Sequence, residues 1–392
     1  MGAEILKLFY VVTEWILFGY ATFCVLYVIL FSLAARFGRL KPYRESVHKR
    51  RIIVIIPAYR EDKVIFDSVK SILKQSYLER SFRLLVVSDT MTKETNARLH
   101  KMDLELLMLE SPADSKANAM INAVEYLNLK SEVYDIAVVL DSDNVVGENF
   151  LNDVNSAFEA GVFALQCHRT AKNLNSDIAV LDSISEEINN SIFRKGHVCL
   201  GLSSALAGSG MAFDYKWFCR HVLLLRTAGE DKEMELMLLK ERIPVRYLDY
   251  TLVYDHKTDK ADAFYGQRRR WIAAQFGSLK RGIKELPEAI ACRNLDYIDK
   301  ILQWMILPRV LLLGFIGFVA FVLTFISYTH SLKWWLILIL LISSLTLSIP
   351  GFLWNVRSFN AVKKLPLIFI LMFANLFRIK GVNKKYIHTE KG

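Results

Sequence analysis

The sequence predicts a Rossmann-like α/β domain with a mainly parallel sheet, joined to α-helical transmembrane segments. Three observations support this prediction. The 392 residues are 53% hydrophobic with a mean hydropathy of +0.25, which is more apolar than a typical soluble chain. The longest apolar runs lie towards the two ends of the chain. The middle instead alternates short apolar runs with helical patterns, as parallel sheets flanked by helices do.

The first apolar run extends from Leu8 to Ala35 and contains 28 residues with a single charge, Glu14. About 20 apolar residues in a helix cross the hydrocarbon core of a bilayer. A cleaved signal peptide would have an apolar region of only about 7–15 residues followed by a small-residue cleavage site. Basic residues follow this run instead, so we expect a retained membrane anchor.

Three further apolar runs follow in the C-terminal third. Val310–Tyr328 and Trp334–Trp354 contain no charged residue, and the five residues Thr329–Lys333 are expected to connect them as a transmembrane hairpin. Leu365–Phe377 has only 13 residues. This length favours an interfacial or re-entrant segment rather than a full span.

The formal net charge is +10, and its distribution predicts the orientation. Seven basic residues stand against one acid, Glu45, between Arg36 and Arg51. Such a cluster beside a membrane span indicates the cytoplasmic side. We therefore expect an integral protein of the plasma (inner) membrane, with the middle domain in the cytoplasm. Nucleic-acid binding is the competing explanation for a basic chain, but membrane orientation and attraction to anionic lipids explain this cluster more simply.

Five cysteines occur without any Cys-x-x-Cys pair, and Cys24 lies within the first apolar run. This usage is compatible with a reducing cytoplasm. It argues against a disulfide scaffold and against a zinc site.

The middle of the chain alternates predicted strands and helices, and polar residues follow three of the strands. The predicted strands are Ile52–Ile56, Leu84–Val87, Leu106–Leu109 and Ile136–Leu140, and the predicted helices are Asp62–Gln75 and Ser115–Leu127. Pro57–Glu61, Ser88-Asp89 and Asp141–Asp143 each begin where a strand stops. Ligands of open α/β sheets bind outside the carboxyl ends of the strands, so these segments predict one shared site.

The pair Asp141 and Asp143 predicts a metal site. An Asp-x-Asp sequence is often only a turn or a helix cap. Directly after a buried strand, however, two carboxylates can bind one hard cation that also contacts substrate phosphates.

Two later segments carry weaker signals. Glu230-Asp231 could be the acidic first turn of a helix, or could supply the general base that removes a proton from a hydroxyl group. The segment 267–271, Gln-Arg-Arg-Arg-Trp, could be an interfacial belt. Its arginines are equally suited to bidentate phosphate contacts, and its tryptophan to the face of a sugar.

Taken in order, these motifs resemble the family 2 glycosyltransferases with a GT-A fold. The resemblance extends over about Arg51–Trp271 and is greatest to the membrane-integrated branch, which includes hyaluronan, chitin, cellulose and poly-N-acetylglucosamine synthases and ceramide glucosyltransferases. It implies a membrane anchor (1–36), a cytoplasmic GT-A domain (37–275), interfacial helices (276–309), a hairpin with the short segment (310–377) and a basic tail (378–392).

The resemblance also implies roles for individual residues. Asp231, with Glu230 beside it, would be the catalytic base, and Asp141 and Asp143 would hold Mg²⁺ or Mn²⁺. Gly208, Ser209, Gly210 and Trp271 would border the acceptor. The nucleotide-sugar would be bound by Pro57, Ala58, Tyr59, Glu61, Asp89, Lys116, Asp141, Ser142, Gln267, Arg270 and Trp271.

The implied activity is metal-assisted, inverting transfer of a hexose or N-acetylhexosamine from a nucleoside-diphosphate sugar to a polysaccharide or a membrane lipid, with UDP as the expected nucleotide. The chain departs from the family where Arg60 stands in place of a common Asn, and it has no clear counterpart of the cellulose-synthase gating motif. The missing gating motif and the small number of C-terminal segments argue against a cellulose-type translocating polymerase, but not against a shorter or an oligomeric polymerase. A non-catalytic nucleotide-sugar-binding subunit is the alternative, and a transporter would not need the central domain.

Overall fold

The structure is a computed structural model that describes residues 2–227, 229–259 and 261–376. The strands are β1 Ile52–Tyr59, β2 Phe82–Asp89, β3 Glu105–Met108, β4 Ile136–Val139, β5 Val145–Val146, β6 Ala164–Ala171, β7 Met211–Asp214 and β8 Val245–Asp255. The first eight helices are α1 Gly2–Phe37, α2 Ile65–Leu73, α3 Lys93–Leu99, α4 Lys116–Leu129, α5 Phe150–Glu159, α6 Asp177–Asn189, α7 His197–Cys199 and α8 Tyr215–Val222. The others are α9 Glu230–Lys240, α10 Ala261–Gly282, α11 Leu286–Ala291, α12 Leu295–Met305, α13 Arg309–Ile326, α14 Tyr328–Leu347, α15 Val356–Val362 and α16 Leu365–Leu376.

The strands form one mixed sheet in the order β3-β2-β1-β4-β7-β6-β8-β5. The four strands predicted from the sequence are mutually parallel, which confirms the parallel half of the expected sheet. Beyond β4 the sheet becomes mixed, because β7 runs antiparallel to both β4 and β6 and β5 runs antiparallel to β8. In that half β6 and β8 pair in parallel. The sheet is therefore mainly parallel, as predicted, with antiparallel pairs that the sequence pattern did not indicate.

Strand β1 lies at the centre of the parallel half and is buried on both faces. Ile52, Val54 and Ile56 pack on one side of the sheet, and Ile53 and Ile55 pack on the other. The strand continues two residues past Pro57, where the sequence predicted its end. A proline is tolerated inside this strand because pairing with β4 stops at Ile55. At Pro57 no neighbouring strand on that side needs a backbone N–H donor, which proline cannot supply.

Helix α4 begins where the sequence predicted a helix. Ser115 is its N-cap, and its Oγ accepts a hydrogen bond of 3.1 Å from the Asn118 N–H. A serine in this position satisfies one of the free N–H groups of the first turn. The cap fixes the start of the helix, so Lys116 is its first residue.

Within the described residues, three helices are long and apolar enough to cross a membrane: Leu8–Phe37 within α1, α13 and α14. The expected connection at Thr329–Lys333 was wrong, because the chain turns at Ser327 and those five residues belong to α14. Lys333 is accommodated in a helix because its ammonium group lies 2.8 Å from Glu14 Oε2 of α1, and Trp334 Nε1 donates to Glu14 Oε1. A buried charge in an apolar environment requires such a partner.

The anchor helix α1 packs closely against the helical segment that follows α6. That segment, Asn190–Gly196, is π-helical, and a Cβ at Gly196 would overlap the Phe31 carbonyl oxygen. The Tyr27 hydroxyl donates to Asp299 of α12 over 2.8 Å and lies 2.8 Å from His197 Nε2. Helix α1 is thus joined to the π-helical segment, to α7 and to α12.

The short apolar segment predicted at Leu365–Phe377 forms α16, which has 12 residues. Phe369 of α16 packs against Gly314 of α13, where a Cβ would overlap the phenyl ring. Phe377 and the predicted basic tail 378–392 lie outside the described residues.

Candidate active site

The carboxyl ends of β1, β2 and β4 meet at one edge of the sheet, above a cavity of about 1200 Å³. Tyr59 and Asp89, the last residues of β1 and β2, are register partners, and Asp141 follows β4 closely. The cavity is lined by most of the residues predicted for the site: Pro57, Ala58, Tyr59, Glu61, Asp89, Lys116, Asp141, Ser142, Gly208, Glu230, Asp231, Gln267, Arg270 and Trp271. Asp143, Ser209 and Gly210 are not among the lining residues.

Asp89 holds two loops together at one end of the cavity. Its Oδ2 accepts a hydrogen bond of 3.1 Å from the Ala113 N–H, and its Oδ1 accepts one of 2.9 Å from the Thr90 hydroxyl. Its backbone carbonyl accepts from the Arg60 N–H. The residue is only 4% exposed, so its carboxylate is fixed in place with little freedom to rotate.

Lys116 connects three separate segments around the centre of the cavity. Its ammonium group lies 2.5 Å from Asp141 Oδ1, 2.5 Å from the Gly208 carbonyl oxygen and 3.9 Å from Glu230 Oε1. Gly208 has a φ of +79°, a backbone conformation that glycine adopts without a steric penalty. A cation between two carboxylates reduces their mutual repulsion.

The loop after β4 is hydrogen-bonded, on the side away from the cavity, to Ser209, one of the small residues predicted to border the acceptor. The Asp141 N–H donates to Ser209 Oγ over 2.8 Å, and the Ser209 hydroxyl donates to Asn144. Ser209 is fully buried. A Cβ at Gly210 would lie 3.0 Å from Val253. Of the three residues Gly208, Ser209 and Gly210, the structure brings only Gly208 to the cavity.

Asp141 and Asp143 carry the carboxylate oxygens that a hard divalent cation prefers as ligands. Their positions in the structure are compatible with such a cation. Asp141 lines the cavity, whereas Asp143 is 2% exposed and its Oδ2 accepts from the His256 N–H over 3.1 Å. Within the described part of the chain, no three side chains of the usual metal-binding types lie together. A cation here would therefore need phosphate or water oxygens to complete its shell.

The acid pair lies at the start of α9. Glu230 and Asp231 are its first two residues, where the helix dipole favours negative charge. Burial raises the pKa of Glu230 to about 7, with Lys116 acting against the rise and Asp231 adding to it. Asp231 Oδ1 accepts a hydrogen bond of 2.8 Å from the Lys232 N–H. A carboxyl group that titrates near neutral pH is suited to proton transfer.

The three consecutive arginines of helix α10 lie in different environments. Arg270 lines the cavity together with Gln267 and Trp271, whereas Arg269 does not. Arg268 also lines the cavity but turns towards α6, where its Nη2 lies 2.5 Å from Asp182 Oδ1. Its guanidinium group also lies 4.6 Å from the centre of the Trp271 ring, a cation–π contact that orients the indole.

Several residues of the cavity wall were not predicted from the sequence. Asp255, His256 and Lys257 lie at and just after the end of β8 and line the cavity with Arg169 of β6. Arg169 Nη2 lies 2.6 Å from Asp255 Oδ2, and Lys257 Nζ lies 3.1 Å from the same carboxylate. The strand-end rule that identified Asp89 and Asp141 would have identified this segment too, had β8 been assigned from the sequence.

The far end of the cavity lies among apolar residues of the candidate membrane helices and of α16. Val310 and Leu313 of α13, Leu345 of α14 and Ile368 and Met372 of α16 line it. The cavity is therefore continuous from polar side chains at the sheet edge to aliphatic side chains at the level of the membrane helices. Such a cavity can accept a molecule with a polar end and an apolar end.

The comparisons with known proteins concern the same region. A family model described as "Glycosyltransferase like family 2" matches residues 49–274. No curated protein sequence matches the chain.

Solved structures with a similar fold include a mannosyltransferase, PcManGT from Pyrobaculum calidifontis, in complex with GDP-Man and Mn²⁺. It is 15% identical with a TM-score of 0.52, over 83% of this chain and 98% of that chain. S. aureus TarS 1–349 in complex with UDP-GlcNAc is 15% identical with a TM-score of 0.40, over 85% and 90% of the two chains.

A third structure, glucosyl-3-phosphoglycerate synthase from Mycobacterium tuberculosis with Mn²⁺, UDP and glucosyl-3-phosphoglycerate, is 16% identical with a TM-score of 0.40, over 58% and 80%. At these sequence identities the similarity concerns the fold alone. It is supported by the mannosyltransferase structure, whose TM-score is 0.52. Together with the matched family model it confirms the GT-A fold expected from the sequence.

Proposed function

The chain belongs to the family 2 glycosyltransferases, and on this premise we propose that it transfers a sugar from a nucleoside-diphosphate sugar to a membrane lipid acceptor with inversion at the anomeric carbon. The transferred group is a hexose or an N-acetylhexosamine, and the donor is UDP-linked. The protein is integral to the plasma (inner) membrane, and the sheet domain faces the cytoplasm.

One observation supports the proposal most strongly: the cavity connects the acids after β4 and at the start of α9 to the candidate membrane helices. Asp141, Glu230 and Asp231 line its polar end, and Val310 and Leu345 line its apolar end. A donor bound at the sheet edge and an acceptor entering from the membrane would meet at these acids. Polar and apolar substrates thus reach one site from opposite directions.

The nucleotide-sugar is assigned to the polar end. Asp89 and Glu61 are buried acceptors at the ends of β1 and β2, suited to the N–H and hydroxyl groups of a base and ribose. Lys116 and Arg270 are the cations assigned to the diphosphate. Asp141 and Asp143 are assigned to a divalent cation, Mg²⁺ or Mn²⁺. When bound, such a cation supplies positive charge to the departing diphosphate.

Asp231 is assigned as the general base. It removes the proton of the acceptor hydroxyl group while that oxygen attacks the anomeric carbon from the face opposite the leaving group. The new glycosidic bond forms as the bond to the diphosphate breaks, so an α-linked donor gives a β-linked product. Glu230 lies beside Asp231 and near Lys116, where it sets the local charge and can hold a proton.

A lipid acceptor is favoured over a growing polysaccharide by the walls of the cavity. A polymer channel would need a polar passage through the membrane, because sugar hydroxyl groups lose their hydrogen bonds in an apolar one. The described residues at the membrane end are instead mostly apolar, and three helices of the described chain are long enough to span. A lipid tail can occupy such an environment at no comparable cost.

The test is a transfer assay with purified full-length protein in detergent. Release of nucleoside diphosphate would be measured for a panel of UDP- and GDP-sugars, with and without Mn²⁺, in the presence of a membrane lipid extract. We expect release from one or a few UDP-sugars that depends on both the metal and the extract, with radiolabelled sugar recovered in the lipid phase.

Binding of UDP without release from any donor would favour the alternative, a nucleotide-sugar-binding regulatory subunit. Sugar recovered in water-soluble polymer rather than lipid would contradict the choice of acceptor. Asp103, an exposed acid outside the cavity, provides a matched control when acids of the site are replaced by amides.

A further inference from the structure

The wall of the cavity formed by α6 and its π-helical continuation, α10, the first residue of α13 and the C-terminal parts of β6 and β8 carries an excess of positive charge. Among the described residues, five cations and three carboxylates of this wall form one network, in which hydrogen bonds of Asn190 and Ser185 link the separate ion pairs and Arg309. The cations are Arg169, Arg194, Lys257, Arg268 and Arg309, and the carboxylates are Asp182, Glu186 and Asp255. Two positive charges are therefore not balanced by carboxylates of this network. Buried charges are expected to be paired, so the network is short of anionic charge.

Two guanidinium groups of this network converge on one hydroxyl group. Arg268 Nη1 lies 3.0 Å from Ser185 Oγ, and Arg309 Nη2 lies 3.0 Å from the same oxygen and 3.0 Å from the Ser185 carbonyl oxygen. Arg268 has Asp182 as a carboxylate partner, whereas no carboxylate pairs with Arg309 among the described residues. Like charges placed this close repel each other unless an anion joins them.

Donor groups remain unused at the same place. Arg309 Nη1 and Arg268 Nε are buried and have no hydrogen-bond acceptor among the described residues. A buried donor without an acceptor destabilises the fold. The geometry of guanidinium groups suits the oxygens of a phosphate, which accepts several such bonds at once. The unused donors and the excess charge thus favour the same kind of ligand.

The position of Arg309 indicates where that ligand comes from. Arg309 is the first residue of α13, one of the three candidate membrane spans, and Val310 and Leu313 of the same helix line the apolar end of the cavity. The N-terminus of a helix also attracts anions through its dipole. A phosphate bound at this point would lie where lipid headgroups lie, with its apolar chain directed along α13.

We propose that Arg268, Arg309 and Ser185 bind the phosphate group of a membrane lipid, so that the acceptor is a lipid carrying a phosphate or diphosphate headgroup. This inference rests on the proposed transfer to a lipid and specifies its acceptor class. The site is distinct from Lys116 and Arg270, which are assigned to the donor.

Two further cations lie near this site: Lys257 Nζ is 4.0 Å from Asp182 Oδ2, and Arg194 pairs with Glu186. Burial lowers the pKa of Lys257, but Asp255, Asp182 and Glu186 outweigh this effect and raise it, which keeps the lysine charged. Lys257 therefore contributes a positive charge beside the site.

The test compares three probes on the full-length protein in detergent: a short-chain prenyl phosphate, the matching prenol without phosphate, and inorganic phosphate. Binding would be measured by microscale thermophoresis. We expect the prenyl phosphate to bind at least about tenfold more tightly than either of the others, because both the headgroup and the chain contribute. Equal binding of prenol and prenyl phosphate would overturn the proposal. Inorganic phosphate binding as tightly as the lipid would also overturn it and make this a site for a free anion.

Variants then locate the binding. Arg309→Gln and Arg268→Gln should each weaken prenyl phosphate about tenfold, the loss of one charge-assisted contact, and leave prenol unchanged. Arg309→Lys keeps the positive charge but loses the planar guanidinium group with its several N–H donors. Its affinity for prenyl phosphate should therefore lie between that of Arg309→Gln and that of the parent. Arg220→Gln removes an exposed arginine of α8 and should behave like the parent. Unchanged affinity in both glutamine variants would overturn the assignment.

UDP binding separates this inference from the proposed function. Arg309→Gln should bind UDP as the parent does, which shows that the variant is folded and that the donor site is separate. A parent protein that binds prenyl phosphate but neither binds UDP nor transfers sugar would contradict the proposed function and leave the lipid-phosphate site intact. A parent that transfers sugar equally well to phosphate-free lipids would contradict only the acceptor class inferred from Arg309.

Discussion

The ammonium group of Lys116 lies 2.5 Å from Asp141 Oδ1 and bridges it to the carbonyl oxygen of Gly208. Lys116 is the first residue of α4 and Asp141 follows β4, so this ion pair joins two elements through residues that are 25 positions apart. The pair is partly buried, with 17% and 26% of the two side chains exposed. A cation in this position lies beside Glu230 as well, and several properties of the site depend on it.

Replacing Lys116 tests this arrangement. Lys116→Met should weaken UDP binding by about tenfold or more, because a charge-assisted contact to the diphosphate is lost. It should also raise the pKa of Glu230, since Lys116 lowers it in the parent. Isothermal titration calorimetry with UDP at pH 6 and 8 measures the first effect. Lys101→Met removes an exposed lysine and serves as the control. Parental UDP affinity in Lys116→Met would contradict the assigned role.

Asp143→Asn tests the metal site. The amide keeps the size of the side chain and can still accept from the His256 N–H, but it loses the negative charge that attracts a hard cation. We expect metal-dependent sugar transfer to be abolished, with the thermal unfolding temperature changed little. Transfer would be titrated against Mn²⁺ for this variant and for Asp103→Asn. Near-normal transfer with normal metal dependence would show that Asp143 is not a ligand.

Asp231→Asn tests the general base. An amide cannot take the proton of the acceptor hydroxyl group, whereas the nucleotide is assigned to residues elsewhere in the cavity. UDP affinity should therefore remain close to that of the parent while transfer is lost by about 10²-fold or more. Weakened UDP binding with turnover retained would instead make Asp231 a binding residue. Glu233 and Glu235 would then be the next candidates, although Glu233 already accepts from Thr227 and Glu235 pairs with Lys300.

Glu230 predicts a pH-dependent stability. Its pKa rises from 4.5 to about 7 on folding, mainly through burial, so the folded state holds its proton more tightly than the unfolded chain does. The stabilisation is fully present below pH 4.5 and is lost as pH rises through 7. The parent should therefore lose about 3 kcal/mol relative to Glu230→Gln across this window.

Thermal unfolding of both proteins between about pH 5 and 8.5 measures this difference. Glu125→Gln, an exposed position on α4, should follow the parent at every pH. Parallel curves for the parent and Glu230→Gln would show that Glu230 titrates at its ordinary pKa, and that it does not hold a proton in the site near neutral pH.

The sequence predicted the half of the site that follows from local patterns. Buried runs such as Ile52–Ile56 predicted the parallel strands, and polar residues directly after them predicted that Asp89 and Asp141 would share a cavity. Arg309 and Ser185 could not be predicted in this way, because they come together only through packing between α6, α10 and α13. The position of Ser209 behind the Asp141 loop likewise depends on contacts between distant segments, which no local pattern encodes.

The membrane topology of α16 remains a prediction, and the length of the helix gives it a physical basis. Its 12 residues cover about 18 Å, well short of a hydrocarbon core about 30 Å thick. Met372 and Ile368 pack in the same cluster as Phe264 and Ile272 of α10, the helix that also carries the arginines at the cavity. Helix α16 also packs against the candidate span α13 through Phe369, so its short length is the property that predicts an interfacial or re-entrant segment.

The side of the membrane on which the residues after α16 lie can be measured. The sequence beyond Phe377 contains five basic residues and one acidic side chain, Glu390, and such a cluster is expected on the cytoplasmic side. A cysteine placed at Gly392, in a background without the five native cysteines, would be treated with an impermeant thiol reagent on intact cells. We expect labelling only after permeabilisation, with a cysteine near the start of α1, at Ala3, labelled in intact cells as the control for the outer side. If the Gly392 position were labelled without permeabilisation, α16 would cross the membrane, and the lipid entering the cavity would have to pass a fourth span.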